Sequence, residues 1–108
     1  MSSYVAPLTD LKFQLRAVGG LDHVLSLPPF EGIDAETVQQ ILDEGGRFAG
    51  EVLAPANRAG DTTPARLENG TVRTSPGFAE AYRQFSAGGW NAVPFEAEHG
   101  GQGLPWLV

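Results

Sequence analysis

Glu96, Glu98 and His99 are the residues of this 108-residue chain that most resemble a reactive set. A carboxylate beside an imidazole can fix its tautomer for general-base work, and the trio could also begin a metal site. Their spacing argues against both. Three near-adjacent residues of one loop are not expected to converge on a point, and the other histidine, His23, is remote in sequence. The set reads as a solvated group that shapes its loop.

The next candidate is Gly100-Gly101-Gln102-Gly103. Phosphate-binding loops place such glycines after a strand and open a helix whose N-terminus meets the phosphate. Here Leu104-Pro105 follows, no strand precedes, and the Gly-Gly-x-Gly spacing fits neither common fingerprint. The run reads as a tight turn that brings backbone close to another surface. Trp90 and Phe95 could line a small-molecule pocket, although aromatics at this density are more often core. Trp106, Leu107 and Val108 would each forgo roughly 2 kcal/mol of burial unless something covers them. An end at Leu-Pro-Trp-Leu-Val reads as a cut within a fold.

The elements that position these residues follow from periodicity. Residues 1–8 read as an extended, proline-containing lead. Thr9 can cap a short helix with Leu8, Leu11, Leu15 and Val18 on one face, stopped by Gly19-Gly20. Leu21, Val24, Leu25 and Leu27 suggest a second short helix closed by Pro28-Pro29. Asp34 is a plausible N-cap for a helix over 35–53, whose stripe runs through Val38, Ile41, Leu42, Phe48, Ala49, Val52 and Leu53. Gly45, Gly46 and Gly50 inside it point to close approach of a neighbouring helix, and Pro55 is expected to end it. Residues 56–64 read as irregular. Asn69-Gly70 between short alternating segments predicts a two-residue hairpin. Ser75-Pro76 predicts a capped helix start, with Phe78, Ala81, Tyr82 and Phe85 buried and Gly88-Gly89 closing it. The fold class is mostly α: two main helices, two short ones, a small hairpin and a long ordered C-terminal loop.

Composition narrows the function classes. An apolar fraction of 42% fits a globular chain, and 14 glycines point to long ordered loops. One domain is expected, with a radius of gyration of about 13 Å if compact. The net charge is −6 and the seven basic residues occur singly, so no nucleic acid and no anionic membrane surface is expected as a partner. The absence of cysteine excludes disulfides, thiolate metal sites and a cysteine nucleophile. No apolar run approaches the ~20 residues of a membrane span and no signal-peptide pattern is visible, so a cytoplasmic location is expected.

Several motifs together resemble one family. A Tyr-x-Ala-Pro-Leu lead is followed by an acidic helix ending in Phe48 to Asp61, then by Leu-Glu-Asn-Gly-Thr-Val. After these come Pro76-Gly77-Phe78, Ala81-Tyr82-Arg83, Gly88-Gly89-Trp90 and Glu98-His99-Gly100-Gly101-Gln102-Gly103-Leu104-Pro105. The series is similar to the N-terminal region of the acyl-CoA dehydrogenases. It is most similar to the long bacterial branch that carries an additional N-terminal segment and includes the methylmercaptopropionyl-CoA dehydrogenases. The match covers essentially the whole chain.

The resemblance implies a helical N-terminal domain of a flavoprotein whose middle β-domain and C-terminal bundle hold FAD, often with a second subunit contributing. A glutamate in that bundle removes the α-proton of the acyl-CoA and the flavin takes the β-hydride. No residue here corresponds to that glutamate or to the flavin contacts. His99 stands where tyrosine is common in the family. Residues 1–33 would be an extension with short helices, and 34–108 part of the helical domain. Trp90, Phe95, Glu98, His99, Gly100, Gly101 and Gly103 would lie at the acyl pocket or the domain interface. The expected partners are the remaining domains or a second subunit, with acyl-CoA and FAD bound only in the full enzyme and no activity from this chain alone. The alternative is a free-standing helical domain that oligomerises or binds a partner through exposed apolar surface.

Overall fold

A computed structural model describes residues 4–108 of the chain. Helix α1 spans Leu8–Phe13 and widens into a π-helical turn over Gln14–Val18. Thr9 does not cap it: Pro7 precedes the helix, no side chain accepts from its first amides, and Leu11 N donates to Pro7 O at 3.0 Å. Proline's fixed φ sets the helix entry without a capping hydroxyl. Of the expected extended lead, residues 1–3 lie outside the described residues. Gly20, at φ 68°, then turns the chain into α2 (Leu21–Leu25). Pro28–Phe30 form a 3₁₀ turn.

Asp34 caps α3 (Ala35–Phe48) as expected, its carboxylate accepting from Thr37 N at 2.8 Å. That bond also holds the Asp34 pKa below the ordinary carboxylate value. Pro55 does not end this helix, and residues 56–62 are not irregular. A π turn over Ala49–Leu53 leads directly into α4 (Ala54–Thr62). In a regular α-helix Pro55 would lack a donor and its ring would press on the preceding turn. The wider turn ahead of it and its place at the start of α4 relieve both problems. The rod from Ala35 to Thr62 is therefore about 42 Å long at 1.5 Å per residue.

Strands β1 (Arg66–Glu68) and β2 (Thr71–Arg73) pair antiparallel with Leu67 opposite Val72. Asn69 at φ 49° and Gly70 at φ 77° make the predicted two-residue turn. Ser75 does not cap the next helix. Gly77 adopts φ 85°, ψ −15°, the third position of a type II turn behind Pro76, and Phe78 N donates to Ser75 O at 3.2 Å. Helix α5 accordingly starts at Phe78 and runs to Ala87.

The core is small. Among the described residues, Leu21, Val38, Ala81, Leu104 and Pro105 are the buried apolar residues. Helices α1 and α2 pack on α3, with Lys12 Nζ 2.6 Å from Asp43 Oδ1 across the first contact. The glycines along the rod do allow close approach, of helix α1 with its lead and of the Trp90 ring. A Cβ on Gly46 would lie 3.1 Å from Leu8 Cδ2 at the start of α1 and 3.1 Å from Ala6 Cβ, one on Gly50 in the π turn would lie 3.5 Å from Tyr4 O, and one on Gly45 would lie 3.5 Å from the Trp90 ring. The chain is more extended than expected, with a radius of gyration of 17.0 Å and extents of 53 × 34 × 19 Å. The unbroken rod and the exposed hairpin account for the difference. No helix among the described residues is long and apolar enough to cross a membrane.

Candidate functional site

The C-terminal loop is built by its own backbone. After α5, Gly89 at φ 77° turns the chain so that Trp90 points back at the rod. The indole stacks on Phe48, with ring centroids 6.2 Å apart and planes at 27°, and Phe48 in turn lies 6.3 Å from Phe85. These offset aromatic contacts join α3, α5 and the loop. The glycine turn then folds against residues 92–96: Gly101 N donates to Glu96 O (3.0 Å), Gln102 N to Ala92 O (3.1 Å), Gly103 N to Phe95 O (2.9 Å) and Leu104 N to Val93 O (3.1 Å). Gly100 and Gly103 sit at φ 85° and 67°, and a Cβ on Gly101 would lie 2.0 Å from Phe95 O. The close surface expected from the sequence is the loop's own backbone.

Glu96, Glu98 and His99 do converge, against the sequence expectation. A 3₁₀ turn over Ala97–His99 brings one ligand atom from each within 4.8 Å of the others, and His99 Nε2 lies 3.4 Å from Glu98 Oε1. Tight helical winding of three consecutive residues achieves this. All three side chains remain in solvent, those of Glu98 and His99 71% and 73% exposed. An exposed pair gains little from mutual attraction, and no wall shields it from water. The cluster is solvated, as the sequence predicts.

The concave surfaces lie elsewhere. A groove of about 400 Å³ opens between the lead, α1, α3 and the loop, walled by Tyr4, Leu8, Ile41, Gly45, Trp90 and Trp106 among others, with no charged side chain in its lining. Trp90 is thus a groove wall. Phe95 is not; it is half exposed and meets Trp106 edge-on, centroids 5.6 Å apart. A second groove of about 330 Å³ runs between α4 and α5, over Leu53, Ala56, Asn57, Phe78, Tyr82 and Phe85. The predicted buried face of α5 is only partly buried. Ala81 is covered, Phe78 is 40% exposed and Tyr82 66%. Periodicity identifies a face but not its cover.

Sequence reasoning missed the contribution of the lead to the first groove and of α4 to the second. The available signal for the first was the Gly45-Gly46 pair, whose missing side chains admit Trp90 on one side and Ala6 and Leu8 on the other.

No protein-family model matches the sequence. Over 106 residues, 98% of the chain, it is 41% identical to the 3-methylmercaptopropionyl-CoA dehydrogenase of Ruegeria pomeroyi. Over 110 aligned residues, 100% of the chain, it is 28% identical to the broad-specificity linear acyl-CoA dehydrogenase FadE5 of Mycobacterium tuberculosis. The chain spans 18% of the length of each of these relatives.

Proposed function

We infer the role of this chain from homologues that are acyl-CoA dehydrogenases and of which it corresponds to one segment. It serves as the N-terminal helical domain of a flavin-dependent enzyme that α,β-dehydrogenates acyl-CoA thioesters in the cytoplasm. Residues 34–108 form part of that helical domain and residues 1–33 are its N-terminal extension. The observation that carries this reading is 41% identity sustained over 98% of the chain against 18% of a dehydrogenase. Support also comes from the thin core and the two uncovered apolar grooves. A surface of this kind is stabilised when a neighbouring domain covers it.

In this reading the chain contributes packing and pocket shape, not chemistry. FAD is the cofactor of the full enzyme, and the glycine turn does not fit its pyrophosphate. The amides of His99 to Leu104 already donate to carbonyls of residues 92–97, at 2.9 to 3.1 Å. A phosphate cradle needs such amides free and a helix N-terminus behind them. In this reading the flavin contacts and the proton-abstracting carboxylate belong to other parts of the enzyme.

The chain incubated with FAD, an acyl-CoA and an electron acceptor is expected to give no turnover, while the same chain joined to a flavin-bearing domain and helical bundle is expected to turn over. Turnover by the chain alone refutes the reading. The exposed Phe78 and Tyr82 of the α4–α5 groove favour one rival, a free-standing domain that self-associates. Light scattering separates them: an 11.5 kDa monomer argues against the rival.

A further inference from the structure

The turn that aims Trp90 is closed by Ala92 N donating to Gly89 O at 3.1 Å, and one side chain from the far end of the loop reaches the same carbonyl. Gln102 Nε2 donates to Gly89 O at 3.1 Å, across thirteen residues of sequence. Its own amide donates to Ala92 O, so Gln102 grips the 3₁₀ turn of Trp90–Ala92 at both ends. Gly89 is shaped for this contact. It adopts φ 77°, and a Cβ there would lie 2.5 Å from Gln102 Nε2. Gly88 fits the indole in the same way, since a Cβ on it would come within 2.9 Å of Trp90 Nε1.

We infer that Gln102 is the positioning residue of the apolar groove: its side-chain amide fixes Gly89, and through Gly89 sets the Trp90 indole against Phe48 and Gly45 as the groove wall. A glutamine suits this work by reach and by chemistry. The acceptor is a carbonyl, so only a donor serves, and a carboxylate of the same length would repel it. The bond is exposed to water, so its net energy is small and its effect is on geometry. The fit of whatever covers the groove then depends on a residue that does not line it. This inference goes beyond the domain assignment and does not depend on it, because the contact lies wholly within the chain.

The test uses a Trp106→Phe background, in which Trp90 is the remaining indole. There, Gln102→Met and Gln102→Glu are expected to shift Trp90 emission to the red and to raise its quenching by acrylamide, with the far-ultraviolet helix signal unchanged. Gln102→Lys keeps a donor at comparable reach and is expected to stay with the parent. Emission and quenching unchanged in both the Met and Glu variants overturn the inference. So does a Lys variant that moves as far as the Met variant, because that outcome makes the site sensitive to any substitution. If the Glu variant loses helix, the uncharged Met variant decides alone. Docking to a flavin-bearing domain plays no part in this readout, so its failure and that of the proposed function are separable.

Discussion

Gly101→Ala is the sharpest test of how the C-terminal loop is built. The new Cβ would lie 2.0 Å from Phe95 O, 2.3 Å from Phe95 C and 2.7 Å from Phe95 Cβ. Two of these are backbone atoms, so no rotamer change relieves the contact. Ordinary carbon–oxygen contact requires the two strands of the turn to separate by more than 1 Å. Such a shift breaks the bonds from Gly101 N to Glu96 O and from Gly103 N to Phe95 O. At about 1 kcal/mol each, these amount to about 2 kcal/mol. Overpacking strain of about 1–3 kcal/mol adds to that. The local cost is therefore about 3–5 kcal/mol, a factor of at least 10² in the loop's opening equilibrium.

Gly100→Ala is the control. Nothing lies within 4 Å of its Cβ position, but its φ is 85°. The left-handed conformation alone costs a non-glycine residue about 1–2 kcal/mol. Amide hydrogen exchange reads the difference residue by residue. Protection at Gly103 and Leu104 is expected to fall by on the order of 10² or more in Gly101→Ala and by about tenfold in Gly100→Ala. Equal protection in the two variants would refute the reasoning, because open space and backbone collision would then be equivalent.

Gly45→Ala should stabilise the chain by up to about 1 kcal/mol, because helix propensity improves and its Cβ meets the Trp90 ring at an ordinary 3.5 Å; a lowered melting temperature would count against this. Asp34→Ala should destabilise α3, and the pH dependence has a definite sign. The folded pKa of Asp34 is depressed by the Thr37 amide, so its contribution is complete above its unfolded value and disappears as pH falls through the folded one. The stability gap between parent and variant should be full at neutral pH and close below about pH 4, as denaturant titrations across that range would reveal. Tyr82→Asp should leave the melting temperature of the chain nearly unchanged, since surface substitutions fall within about 0.5 kcal/mol and Tyr82 is 66% exposed. A large loss of helix in that variant would mean that the α4–α5 groove is already filled.

Legibility in the sequence tracked how locally each feature is determined. Asn69-Gly70 and the Asp34 cap were readable because a few neighbouring residues fix them: two left-handed positions in one case, one carboxylate and one amide in the other. Pro55 misled because the rule for a proline inside a helix assumes a regular helix, and a π turn before it changes the geometry. Ser75-Pro76 misled because the same dipeptide starts a type II turn when glycine follows, and Gly77 does follow. The stripe of α5 was correctly placed at Phe78, Ala81, Tyr82 and Phe85, yet nothing in its spacing says whether this chain covers it. The convergence of Glu96, Glu98 and His99 depended on a 3₁₀ turn too short to leave a periodic signal.

Residues that look chemical and residues that expose apolar surface are separate sets in this chain. The glycine turn directs its amides inward to its own carbonyls, and the Glu–Glu–His cluster stands in open water, where charge is screened. Large apolar side chains are meanwhile uncovered at Leu53 before α4, on α5 and at the loop's end, with Trp106 76% exposed. Water opposes leaving such surface bare, at about 25 cal/mol for each Å², whereas it accepts an exposed carboxylate without penalty. The physical driving force in this molecule therefore acts on its aromatics rather than on its charged cluster.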